Sequence, residues 1–68
     1  MTTPPMNGVL FGPLVESHPD RIVVASRTLY LRDGEACRYE ICSALEVIYT
    51  EHANGRCDVE KIKLLHLR

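Results

Sequence analysis

Tryptophan is absent from this 68-residue chain, phenylalanine occurs once and tyrosine three times. A core built on stacked aromatics is therefore excluded, and the interior must be mainly aliphatic. Cysteine occurs three times, an odd count with no close pairing. That excludes a regular disulfide framework and fits a reducing environment. Long apolar runs are missing too: nothing approaches the ~20 residues needed to cross a bilayer. No charged-then-apolar leader precedes a cleavage site, so a cytoplasmic protein without a membrane partner is expected. Length allows one domain only. So short a chain buries about 60% of its unfolded surface, which makes a staple or a partner valuable.

Charge of one sign is also scarce. The net charge of −1 gives no general pull toward nucleic acid or anionic membrane. Its distribution is uneven: residues 21–38 sum to +2, residues 39–60 to −4 and residues 61–68 to +3. Such alternating blocks are usually solvated surface with internal pairing; a self-complementary interface between copies would show the same pattern.

What is present reads as strands. Residues 1–7, with Pro4 and Pro5, form a flexible or extended lead-in, and residues 8–68 form the single domain. Val9 to Glu16 is one long strand, bent around Gly12-Pro13. Ser17-His18-Pro19-Asp20 is turn chemistry. Arg21–Ala25 is a short buried strand, and Ser26-Arg27 permits a tight reversal into Thr28–Arg32. There Leu29 and Leu31 face the core while Thr28, Tyr30 and Arg32 share the other face. Asp33-Gly34 is a further turn.

Residues 35–52 carry two competing periods. Cys37, Ile41, Ala44, Leu45 and Ile48 follow a helical spacing that Asp33 could cap and Asn54 or Gly55 could close. This leaves an α+β alternative, with a helix over about 35–53 packed on a β-meander. Val47-Ile48-Tyr49-Thr50, however, is four consecutive β-branched or aromatic residues, each stiff or crowded in a helix. The expectation is therefore an irregular linker over Glu35–Ser43 and a strand from Ala44 to Glu51. Asn54-Gly55 turns this strand into a last one, from Arg56 to about Leu67. Val59 and Ile62 stand three apart, so a bulge near Glu60-Lys61 is needed to return both to the core.

The fold class expected is all-β, a small five-stranded barrel. Four features resemble the OB type: the bent first strand around Gly12, the Ile22–Leu31 meander, an interruption between the third and fourth strands, and the closing hairpin. That hairpin runs Leu45-x-Val47-x-Tyr49, then Gly55, then Val59-x-x-Ile62. Length is similar to single-domain translation initiation factors and cold-shock-sized modules, although the aromatic-rich motifs of cold-shock domains are absent. The resemblance implies that the second and third strands form a ligand face.

Candidate chemistry is sparse. Cys37, Cys42, His52 and Cys57 could nominally ligate zinc, but their irregular spacing points instead to structural thiols and no metal. Cys57 with His52 and Glu51 could form a nucleophilic site, yet so small a core hardly provides the cavity it needs. No Gly-rich phosphate loop exists and no cofactor is implied. Two non-enzymatic readings follow. In the first, the chain is a protein-interaction or self-associating module with an apolar edge at Leu64, Leu65 and Leu67. In the second, it binds single-stranded nucleic acid on the 28–32 face. Tyr30 and Tyr39 would then stack bases, Arg21, Arg32 and Arg38 would meet phosphates, and Thr28 would lie on the same face.

Overall fold

The computed structural model describes residues 4–65. Five strands form one closed, mixed sheet: β1 (Met6–Ser17), β2 (Arg21–Val24), β3 (Arg27–Tyr30), β4 (Ala44–Glu51) and β5 (Cys57–Leu64). Their order around the sheet is β1-β2-β3-β5-β4, closed back onto β1. Every pairing is antiparallel except β3 with β5, which meet in parallel at Tyr30 and Asp58.

The fold is all-β, and no helix forms among the described residues. In 35–53, the β-branched run at Val47–Thr50 outweighs the helical period. Leu45 and Val47 both reach the interior, as strand alternation requires. Residues 35–43 form the irregular linker, stitched by turns at Arg32–Glu35 and Glu40–Ser43.

β1 differs from the sequence expectation. It begins at Met6, not Val9, because Met6 and Asn7 pair with Glu51 and Thr50. Its irregularity falls at Val15, the unpaired residue between Leu14↔Val24 and Glu16↔Val23, rather than at Gly12-Pro13. Gly12-Pro13 instead marks a change of partner. Residues through Pro13 pair with β4, and from Leu14 onward with β2. The Pro13 carbonyl accepts the Ala25 N–H at 2.9 Å, while the Leu14 N–H donates to the Ser43 carbonyl at 2.9 Å. The reversal between β2 and β3 uses Ala25-Ser26, one residue earlier than expected, with Ala25 at φ +56°.

The closing hairpin turns through Ala53-Asn54-Gly55. Gly55 at φ +90° supplies the left-handed residue that ends such a loop. The expected bulge is present: Ile48 pairs with Lys61 and Tyr49 with Val59, leaving Glu60 as the extra residue.

The core is aliphatic. Leu14, Ile22, Val24, Leu29, Leu31, Leu45, Val47 and Val59 are buried with the Cys57 thiol. Leu10, Cys37, Tyr39, Tyr49, Ile62 and Leu64 pack half-buried around them. Tyr49 lies across Gly8, where an added Cβ would stand 2.5 Å from the ring. The close approach explains why that position carries no side chain.

Candidate functional site

Two surfaces stand out. The first is an open groove of about 660 Å³ between β3 and the β4–β5 loop. Strand alternation turns Thr28 and Tyr30 outward into it, while Leu29 goes to the core. Arg56, carried by the loop, lies over the Tyr30 ring at 4.3 Å from its centroid. Arg27 closes the other end. It lies over Tyr49 at 5.4 Å, donates to the Tyr49 hydroxyl at 2.9 Å and stands 3.5 Å from Glu51.

Sequence reasoning placed six residues on this face, and the structure brings only some of them together. Thr28 and Tyr30 line the groove. Arg21 is directly across from Tyr30 in the ladder, with its guanidinium bonded to Asp20 at 3.0 Å. Arg32 lies in an adjoining groove of about 380 Å³, bonded to Glu60, and Arg56 lines both grooves. Arg38 and Tyr39 lie apart, against Cys37 and Ile62, with Tyr39 half-buried on the core. Sequence reasoning missed Arg27, Asn54 and Arg56. The signal for Arg56 was its position just after Asn54-Gly55, since a hairpin loop beside a strand face projects its flanking residues over that face.

The electrostatics of the groove are self-contained. Arg21 pairs with Asp20, Arg27 with Glu51, Arg32 with Glu60 and Arg56 with Asp58. Asp58 accepts from Arg56 Nε at 2.9 Å and lies 2.7 Å from His52 Nε2. The Arg56 hydrogen bond, opposed by partial desolvation and aided by His52, holds its carboxyl below the ordinary 3.8.

The reactive-looking residues disperse. His52 faces Asp58, Glu51 faces Arg27, and Cys57 is 4% exposed in the core. Cys37 is half-buried and Cys42 exposed, so Cys42 is not the buried structural thiol expected of it. Among the described residues no three His, Cys, Asp or Glu side chains gather as a metal would require.

The second surface is the outward side of β1, which sequence reasoning did not single out. Phe11 is 59% and Val9 53% exposed on it, while Val15 at the bulge and Met6 on the alternate face are also open to solvent. The only Phe in the chain is therefore outside the core. The C-terminal edge is less open: Leu64 and Leu65 are half-buried, and the Leu65 N–H donates to the Ala44 carbonyl at 2.9 Å. Leu67 lies outside the described residues.

No protein-family model, curated protein or solved structure matches this chain.

Proposed function

We propose that the chain is a small non-catalytic interaction module that docks on another protein or on a second copy of itself. The observation that carries this reading is the exposed Val9 and Phe11 on the outer side of β1. Contiguous apolar side chains at the surface of so small a domain mark an interaction site. A partner there also adds the buried area that nine interior side chains leave short. The test compares tagged wild type and Phe11→Lys recovered from the native cell. Phe11 is exposed, so the change leaves the fold intact. A stoichiometric companion or multimer on the wild type, lost in the variant, is expected. Identical solitary monomers from both would overturn the reading.

Single-strand binding on the 28–32 face is the second reading, supported by Arg56 over Tyr30 beside an open groove. The strand order with its parallel β3–β5 contact is in keeping with the OB-type resemblance. Against it, Arg27 and Arg56, which line the groove, already hold carboxylates, as do the neighbouring Arg21 and Arg32, and the guanidinium of Arg56 occupies a stacking face of Tyr30. Phosphates and bases would have to displace both.

A further inference from the structure

We infer that the N-terminal half of β1 is a pairing edge for a second copy of this chain, joined antiparallel about a two-fold axis through Val9. This rests on the interaction-module reading and names its partner and its geometry. β1 has β4 on one side from Met6 to Pro13, but β2 reaches its other side only from Leu14. Among the described residues no backbone hydrogen bond from outside β4 reaches Met6–Gly12. That leaves an open strand edge in a sheet otherwise closed on itself.

The direction of the free groups follows from the ends of the segment. Backbone N–H and C=O of successive residues in an antiparallel strand point to opposite edges. Leu14 directs its N–H to Ser43, on the β4 side, and Pro13 directs its carbonyl to Ala25, on the β2 side. Alternating back from Pro13, the groups of Phe11, Val9 and Asn7 point to the open edge. These three residues also carry exposed side chains on one face.

Pro13 fixes the register. It has no N–H and its carbonyl is occupied by Ala25, so pairing stops before it. Centring on Val9 sets Val9 against Val9 of the second copy and Asn7 against its Phe11, twice by symmetry. Three such hydrogen-bonded pairs supply about six backbone bonds. The interface is isologous, as a two-fold dimer requires. It also brings four outward apolar side chains, Val9 and Phe11 from each copy, onto one continuous face.

Exposed edges are ordinarily protected by charge, especially lysine. Residues 1–15 contain no charged side chain at all. Every charge lies from Glu16 onward, so nothing in this segment repels an identical edge. The contact is smaller than a standard interface, so the dimer is expected to be reversible on dilution.

Sedimentation equilibrium of the purified chain tests this, from about 1 µM to about 1 mM, a range suited to a small interface. Mass is expected to rise from 7.7 kDa toward twice that value. Val9→Pro removes one edge-facing N–H while sparing the β4 ladder, and is expected to stay monomeric. Should that variant fail to fold, hydrogen exchange on the wild type decides instead. The amides of Asn7, Val9 and Phe11 are expected to gain protection with concentration. A wild-type monomer throughout, a Val9→Pro dimer, or unprotected amides at those positions in a dimer would each overturn edge pairing. A wild-type monomer that still captures a Phe11-dependent companion in the cell would sink this inference and leave the interaction reading standing.

Discussion

Among the described residues, Ala25 and Cys42 are the two non-glycine residues at positive φ, at +56° and +76°. A left-handed residue with a Cβ costs about 1–2 kcal/mol, and glycine in its place returns part of that as backbone entropy. Cys42 sits there because its N–H donates to the Leu14 carbonyl at 2.8 Å, tying the linker to the point where β1 changes partner. Ala25 is held by Pro13 in the same region, and its methyl meets Gly12. A Cβ added at Gly12 would stand 3.0 Å from the Ala25 Cβ. The two positions are therefore expected to be coupled. Gly12→Ala alone should destabilise by about 1–2 kcal/mol, in the range of mild overpacking. In an Ala25→Gly background most of that cost should vanish. Urea unfolding of the four proteins of the cycle measures the coupling; additive midpoints would mean that the methyl contact is not what excludes a side chain from Gly12.

At the level of elements, the closing hairpin is held by a polar clasp outside its core. Asp58 on β5 receives Arg56 and faces His52, one residue on each side of the Ala53-Asn54-Gly55 turn. Its carboxyl is held low chiefly by the Arg56 hydrogen bond. The folded chain thus resists a proton that the unfolded chain accepts near 3.8. Stability from this group is complete above that value, declines as pH falls through the folded value and is gone below it. Asp58→Asn should therefore unfold at lower urea than wild type at pH 7, with the gap narrowing at pH 3 and below. A gap that persists undiminished in acid would assign the loss to packing instead. Much of this hairpin was legible in the sequence. Gly55 marked the turn, and the three-residue spacing of Val59 and Ile62 required the bulge that Glu60 provides. The strand at 44–51 was legible because β-branching is a local property. What could not be read were relations between distant segments. Arg56 lies over Tyr30, 26 positions away in the chain, and nothing local to either residue announces it. The exposure of Phe11 was hidden for a related reason: an apolar run on a strand fixes alternation, but not which face meets solvent.

For the molecule as a whole, the decisive quantity is how charge is distributed between its two surfaces. The β3 side carries its arginines in pairs with carboxylates, while the first fifteen residues carry no charged side chain. A polyanion approaching the groove meets cations already neutralised, and each phosphate contact requires a carboxylate to be displaced first. Wild type is therefore expected to bind a mixed single-stranded oligonucleotide no more tightly than about 10⁻⁴ M, the weak end of non-specific association. Glu51→Gln with Asp58→Asn frees Arg27 and Arg56 together and shifts the net charge from −1 to +1, two carboxylates being removed. Affinity should rise at least tenfold. The plot of log affinity against log salt should steepen by about 1.4, since each single-strand phosphate contact contributes about 0.7. Fluorescence anisotropy across a salt series reads both quantities, with circular dichroism confirming that the double variant remains folded. Tight, steeply salt-dependent binding by the wild type would mean that the arginines exchange carboxylate for phosphate readily. The Tyr30 groove, rather than the open edge of β1, would then be the working surface of the protein.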